Sequence, residues 1–223
     1  MKKVFLALLL ALIVLLAGCD FAELLQDSTP SSSNELNSES SSDNPSSESK
    51  IKAEQPPDGL SDDLYSFQFY CEGEFYQLPM KYSDFASKGW SLRDAKPEDI
   101  LPNNSLTNVY MKNGSYDSYI GMYNLSGGDL SFSECMVSTV SAVNFAWPGD
   151  TATFFLPKGI QYGVSGVQDV LTAYGEPYEK YEDENITIIT YRYEKNISKE
   201  IKINIKNETD TIYEISVSNQ IEP

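Results

Sequence analysis

Cysteine is the residue type whose position in this sequence points most directly to chemistry. Cys19 follows Leu16-Ala17-Gly18 at the end of an apolar run, Val4–Leu16, and two lysines precede that run. Basic residues, a short apolar run and small residues, in that order, are typical of a secretory signal peptide. A lipoprotein signal peptidase cleaves before such a cysteine once its thiol carries a diacylglyceryl group. The spacing therefore predicts removal of residues 1–18 and lipidation at Cys19.

The anchor predicted at Cys19 is a lipid and not a membrane span. Val4–Leu16 is shorter than the about 20 residues that a transmembrane helix needs. Two or three acyl chains such as palmitate hold a protein at a bilayer far more firmly than one myristoyl chain does. We therefore expect a lipoprotein on the outer face of the bacterial cytoplasmic membrane, which touches the membrane through its lipid alone. The alternative is a general secretory signal that happens to contain a cysteine.

Cys71 and Cys135 are the two thiols that remain after lipidation. An even pair of cysteines in an exported protein is often a disulfide. Cysteine is also a good buried apolar residue, and strands that are distant in sequence need not be neighbours. The sequence leaves both interpretations open.

Residues that could form an enzyme active site are few. The chain has no histidine, which excludes Ser-His-Asp triads, Cys-His dyads and histidine-ligated zinc. Glu98-Asp99 and Glu182–Glu184 could pair carboxylates as glycosidases do, but they fall in predicted loops. Ser165 fits a helix cap better than a nucleophile, and Gly127–Asp129 lacks the spacing of an EF-hand calcium loop. We predict no catalytic residue, no cofactor and no metal site, with a surface hydrolase that uses dispersed carboxylates as the alternative.

Charge and aromatic content indicate which partners the chain could bind. It has 33 acidic and 16 basic residues, a net charge of −17, which argues against binding nucleic acid. Several aromatic residues in predicted strands could form a binding face or could pack in the core. They are Tyr116, Tyr119, Tyr123, Tyr191 and Tyr193, with Arg192 between the last two. We expect a non-catalytic module that binds a protein or another extracellular ligand, or a structural adaptor in envelope assembly.

The elements that would carry these residues follow a Ser-rich acidic segment. Residues 19–63 have the composition of a disordered tether. Phe75–Pro79 is echoed by Phe154–Pro157, and a helix signal follows each copy. In the second copy Ser165 and Gln168 form a capping-box pattern, and apolar residues then follow at helical spacing as far as Gly175. Those apolar residues are Val167, Val170, Leu171 and Tyr174.

Strand patterns come after both helix signals. The first copy has them at 108–112, 119–125 and 135–143, and the second at 186–193, 201–206 and 211–219, where Tyr213, Ile215 and Val217 are expected on one side. The pattern predicts an α+β protein of two tandem modules, 64–148 and 149–223. Each module is a short helix followed by an antiparallel sheet, and Trp147-Pro148-Gly149 lies at their junction.

These motifs resemble a known group of domains. Leu156–Ile160, Gly163 and a helix that ends at Tyr174–Pro177 look like the start of domains related to β-lactamase inhibitor protein and to the small outer-membrane assembly lipoproteins. Phe75–Pro79 followed by Gly89-Trp90 resembles the opening of a first copy. The resemblance covers nearly all of 65–223 and implies tandem helix-plus-sheet modules with a role in binding proteins. The residues with which the inhibitor contacts lactamases have no match here, so lactamase inhibition is not implied.

Overall fold

A computed structural model of the chain describes residues 51–114, 116–143 and 153–221, which belong to one compact unit. The predicted signal peptide 1–18, Cys19, the greater part of the tether 19–63 and Trp147–Gly149 lie outside the described residues. Within them, no helix has the length and apolarity that crossing a bilayer requires.

Short strands dominate the described residues. The strands are β1 (Gln68–Cys71), β2 (Glu74–Gln77), β3 (Met80–Lys81), β4 (Ser91–Leu92), β5 (Ile100–Leu101), β6 (Ser105–Asn113), β7 (Tyr116–Asn124), β8 (Leu130–Ser131), β9 (Met136–Val143), β10 (Phe154–Leu156), β11 (Ile160–Gln161), β12 (Glu179–Glu182), β13 (Ile186–Arg192), β14 (Lys199–Lys206) and β15 (Thr211–Asn219). The two α-helices are α1 (Tyr82–Ser87) and α2 (Val167–Tyr174), and four single 3-10 turns lie at Leu64–Ser66, Phe132–Glu134, Pro157–Gly159 and Tyr193–Lys195.

The strands form three antiparallel sheets. The large sheet has nine strands in the order β12-β13-β14-β15-β9-β7-β6-β4, with β3 also paired to β9. The small sheet has four strands in the order β11-β10-β1-β2, and β5 pairs with β8. Two chain segments far apart in sequence thus meet in each of the two main sheets.

The predicted α+β fold of two tandem modules, each a short helix followed by an antiparallel sheet, is wrong. Of the described residues 47% are in strands and 16% in helices or 3-10 turns, and the two α-helices among them are short. β9 pairs directly with β15, Val140 opposite Val217, so the strands of both halves belong to one sheet. β1 likewise pairs with β10. Local sequence patterns identify strands but not their partners. A strand edge has free N–H and C=O groups, which can pair with a strand from any other part of the chain.

Several single elements match their sequence patterns, with local differences. α2 covers the predicted apolar stretch and ends at Gly175, whose φ is 76°. Its cap differs, because the Gly166 N–H donates to the Asp169 carboxylate at 2.9 Å, whereas the Ser165 hydroxyl accepts from Gln161 N–H. In β15 a register shift places Ile212 opposite Ile205, so Tyr213 does not share the buried side of Ile215 and Val217.

The core lies between the two main sheets. Ile203 on β14 sits between Ile189 on β13 and Ile215 on β15, and all three are fully buried. From the small sheet, Phe69 stacks on Phe154 with ring centroids 5.1 Å apart. These residues form one hydrophobic cluster. Burial of each such side chain contributes about 1.5–3 kcal/mol.

The two cysteines of the folded part are buried thiols. Cys71 ends β1 in the small sheet, and Cys135 lies directly before β9 in the large sheet. Both are free, and Cys135 Sγ donates to the Ser131 carbonyl at 3.3 Å. Burial, with a smaller contribution from the charge of Glu72, raises the pKa of Cys71 to about 12. The structure therefore shows two buried thiols and no bond between them.

Candidate functional site

One face of the large sheet points away from the core, and we call it the outer face. In β6 its side chains are exposed at every second position, Leu106, Asn108, Tyr110 and Lys112, whereas Met111 between them is fully buried on the core side. Register then assigns the other outer-face residues. They are Asp117, Tyr119, Gly121 and Tyr123 on β7; Thr139 and Ser141 on β9; Glu214, Ser216 and Ser218 on β15; Glu200, Lys202, Asn204 and Lys206 on β14; Ile186, Ile188, Thr190 and Arg192 on β13; and Glu179 and Tyr181 on β12.

Small polar side chains occupy the centre of the outer face. Thr139 and Ser218 place their hydroxyl oxygens 2.9 Å apart across β9 and β15, and Ser141 Oγ donates to Ser216 Oγ at 3.1 Å. A Cβ on Gly121 would come within 3.1 Å of the Thr139 Cβ, so a larger residue here would press against Thr139. The side chains at the centre of the outer face are therefore short, and longer side chains lie on either side of them.

An aromatic group lies on the β6–β7 side of the outer face. The rings of Tyr110 and Tyr119 are 5.2 Å apart between centroids. The Arg93 guanidinium lies 6.0 Å from the Tyr110 centroid and donates to Asp117 at 2.8 Å. Tyr110 is 37% exposed and Leu106 is 48% exposed. This side therefore offers a rigid ring pair and an exposed aliphatic side chain to a partner.

A second aromatic group lies on the β12–β13 side. The Arg192 guanidinium sits 4.4 Å from the ring centroid of Tyr178, and its Nε donates to Glu200 at 2.6 Å. That hydrogen bond raises the pKa of the Arg192 guanidinium above its ordinary value. Tyr178 and Tyr181 are each about half exposed. Arginine held by a carboxylate against a ring is pre-ordered for contact with another molecule.

Two buried polar atoms of the described residues have no hydrogen-bond partner, and both belong to the outer face. They are the Tyr123 hydroxyl and Asn204 Oδ1. The Asn204 amide nitrogen donates to Glu214 at 2.6 Å, so its carbonyl oxygen alone remains unpaired. Since unpaired buried polar groups are rare and costly in native proteins, each calls for an explanation. Both atoms are inaccessible in the free protein, so a bound molecule would reach them only after the side chains around them had moved.

The charge of the outer face differs from that of the chain. Five basic residues lie on it, Arg93, Lys112, Arg192, Lys202 and Lys206, against four acidic ones, Asp117, Glu179, Glu200 and Glu214. The whole chain has a net charge of −17. A second macromolecule that carries negative charge therefore meets least repulsion at this face.

The aromatic residues singled out from the sequence divide between the outer face and other places. Tyr119, Tyr123 and Arg192 lie on the outer face. Tyr191 is buried on the core side, where its hydroxyl donates to the Gly175 carbonyl at 2.9 Å, and burial raises its pKa to about 12. The ring of Tyr193 instead contacts Tyr65. Tyr116 packs against the core cluster.

Four exposed residues of the two aromatic groups were not singled out from the sequence, namely Leu106, Tyr110, Tyr178 and Tyr181. For Leu106 and Tyr110 the sequence of β6 has no clear signal, because apolar residues occur on both faces of the strand, with Met111 on the core side. No local signal marks Tyr178, whose role depends on its contact with Arg192.

The acidic residues weighed as catalytic groups have structural contacts instead. Asp183 accepts hydrogen bonds from the N–H groups of Ile186 and Asn185, and these hold its pKa below the ordinary value. Asp99 accepts from Lys96 N–H, and Asp129 accepts from Asn103 N–H. Asp183 and Asp99 each fix a local turn, and Asp129 ties its loop to Asn103, 26 residues earlier in the chain.

A cleft of about 180 Å³ lies beside the 3-10 turn Leu64–Ser66. Asp62, Asp63 and Glu176 line it, and all three are exposed to solvent. The Lys158 ammonium group, also at the cleft, donates to the Ala173 carbonyl at 2.6 Å. Water therefore reaches the carboxylates, and the cleft lacks the enclosure that separates the pKa values of a catalytic pair. Among the described residues no cluster of three or more potential ligands could hold a metal ion.

Comparison with known proteins identified no relative. No protein-family model matches the chain, and neither a curated protein nor a solved structure matches it.

Proposed function

We propose that this chain is a membrane-anchored extracytoplasmic lipoprotein and that its folded part is a non-catalytic module which binds another protein through the outer face. The observation that carries the proposal is an arginine held against an exposed tyrosine on each side of that face, Arg93 with Tyr110 and Arg192 with Tyr178. The exposed aromatic residues and arginines on either side supply the residue types that dominate binding energy in protein interfaces.

The dimensions of the outer face favour a protein over a small ligand. Eight strands at about 4.8 Å spacing give a width of about 34 Å, and the central strands of eight or nine residues are about 26–30 Å long. That area is near the about 800 Å² that each partner contributes to an interface of standard size. Small ligands instead favour concave pockets that enclose most of their surface.

Charge favours a partner that is neutral or mildly acidic at its contact surface. The basic groups of the outer face are partly neutralised within it, Arg93 by Asp117 and Arg192 by Glu200, so each is held in place before binding. Side chains that are already ordered lose less conformational entropy when the complex forms.

Binding of the purified chain to intact cells tests the role of the outer face. The chain from residue 20, labelled at its N-terminus, should bind saturably to cells that lack the endogenous protein. Tyr110→Ala and Arg192→Ala should each weaken binding at least about tenfold, as truncation of an interface hot spot does. Phe75→Ala and Asp84→Ala are the matched controls, since Phe75 is 39% exposed on the small sheet and Asp84 is exposed on α1. Equal losses in variants and controls, or turnover in a hydrolase substrate screen that Tyr110→Ala leaves intact, would contradict the proposal.

The lipid anchor is tested separately. Cys19→Ala should abolish palmitate labelling and release the protein from the membrane fraction, because no other acylation site is predicted. A variant that stayed in the membrane fraction with normal labelling would show that the anchor lies elsewhere.

A further inference from the structure

Residues Ile51–Pro57, which we call the strap, lie along the side of the small sheet that faces away from the core. Gln161 on β11 pairs with Phe155 and shares this side. Its side chain is 3% exposed, and both ends of its amide contact the strap. Gln161 Nε2 donates to the Lys52 carbonyl at 3.1 Å, and Gln161 Oε1 accepts from Glu54 N–H at 3.0 Å.

The two hydrogen bonds from Gln161 reach backbone groups that are two residues apart in the strap. In an extended chain the carbonyl of one residue and the N–H of the residue two positions later point to the same side. Lys52 and Glu54 stand in that relation. The Gln161 amide therefore binds the strap as the N–H and C=O of one residue in a neighbouring strand would, and these two bonds recognise backbone whatever the side chains of the strap are.

Two glycines form the floor beneath the strap. A Cβ on Gly163 would lie 2.2 Å from Ile51 Cδ1, and a Cβ on Gly159 would lie 3.1 Å from Pro56 Cγ. Any larger residue at Gly163 would therefore collide with the isoleucine. Lys52, Glu54 and Pro56 are exposed and Ile51 is half-buried, so recognition depends on the backbone, on Ile51 and on the close approach of Pro56 to Gly159.

We propose that this side of the small sheet is a peptide-binding groove and that the strap is its ligand, bound in cis. The ligand it takes is an extended segment with a β-branched aliphatic residue followed five positions later by proline. A buried glutamine whose amide nitrogen and oxygen both bond the strap, above glycines that leave room for two side chains, is a built recognition site. The groove is independent of the binding role of the outer face.

The strap also determines where the chain leaves the domain. The groove and the outer face lie on opposite sides of the hydrophobic core. A chain held at Ile51 therefore enters on the side away from the outer face.

Trypsin cleavage after Lys52 tests the groove in the full chain. Gln161→Ala should speed this cleavage about tenfold, which corresponds to loss of two hydrogen bonds, because proteolysis follows the open population of the strap. Gln77→Ala is the matched control, since its amide also donates to a backbone carbonyl, that of Ser66, from an exposed edge of the same sheet. Equal rates in wild type, Gln161→Ala and control would overturn the proposal.

Two further variants keep the test independent of folding. Ile51→Asp changes only the strap and should speed the same cleavage. Gly163→Ala should do so too, whereas Gly114→Ala, at a similar positive φ but with no atom within 4 Å of the added Cβ, should not. Loss of strap protection in Gly114→Ala as well would attribute the effect to backbone strain and contradict the groove.

Binding in trans gives the final test. A fluorescent peptide of residues 50–58 should bind the full chain that carries Ile51→Asp and Pro56→Asp, whose own strap cannot dock. It should not bind when Gln161→Ala is added, and it should bind wild type at least about tenfold more weakly because the strap competes. Absence of binding to the strap variant, or a wild-type dimer with straps exchanged between copies, would overturn the assignment in cis.

Discussion

Ser141 on β9 and Ser216 on β15 are hydrogen-bonded side chain to side chain at 3.1 Å, although 75 residues separate them. On the core side of the same two strands, Ile215 packs opposite Ala142 and Val217 opposite Val140. This seam joins the two halves of the chain into one sheet. The halves should therefore unfold together.

Ile215→Ala tests the seam. Ile215 is fully buried, so its truncation should lower the free energy of unfolding by about 2–5 kcal/mol. Ser216→Ala, beside it on the outer face, should cost only about 0.5–1.5 kcal/mol. Urea unfolding followed by tryptophan fluorescence and by far-UV circular dichroism should give coincident single transitions in both variants. Two separate transitions in Ile215→Ala would show that the halves fold independently.

Stability should fall at alkaline pH through buried tyrosines. Burial raises the pKa of Tyr191, and also that of Tyr76, to about 12 from the ordinary value of 10. Between pH 10 and 12 the folded chain therefore keeps protons that the unfolded chain has lost, and the free energy of unfolding decreases as the pH rises. Below pH 10 this contribution is fully present.

Tyr191→Phe is the variant that checks this dependence. It removes one of the titrating groups, so its unfolding free energy should decrease less steeply than that of wild type between pH 10 and 12. The measurement is urea unfolding at half-unit pH steps from 9 to 12. Parallel curves for the two proteins would contradict a role for Tyr191.

The thiols of Cys71 and Cys135 should resist alkylation in the folded protein. Both are buried, and burial raises both of their pKa values, so thiolate is scarce at neutral pH. Iodoacetamide should label neither thiol in native protein isolated without reductant and both thiols in urea. Intact mass reads the result directly. A native mass 2 Da below that of the reduced protein, with no labelling in urea, would establish a disulfide and contradict the structure.

Sequence patterns located most long strands because each pattern is local. The alternation in 211–219 coincides with β15, and the apolar spacing before Gly175 coincides with α2. Local patterns could not predict which strands pair with each other. The partner of Val140 is Val217, and no neighbouring residue of either one encodes that contact.

The candidate site was less predictable than the strands. Tyr119 and Tyr191 are both tyrosines in predicted strands, yet one lies on the outer face and the other is buried in the core. Which face of a strand is covered depends on the helices and sheet packed against it.

The strap was missed because its Ser- and Pro-rich neighbourhood has the composition of a tether, whereas its contacts with Gln161 depend on a strand more than 100 residues away.

Site-specific photo-crosslinking on intact cells shows whether the outer face binds another protein. A photoreactive phenylalanine placed at Tyr110, at Tyr181 or at the control Asp84 samples both sides of the outer face and a surface on α1 away from it. If the outer face binds a protein, the same discrete crosslinked protein should form from Tyr110 and from Tyr181, and none should form from Asp84. Arg192→Ala should also abolish the product at both positions. The same product from Asp84, or no product from either outer-face position in cells that display the full anchored chain, would contradict a binding role for this face.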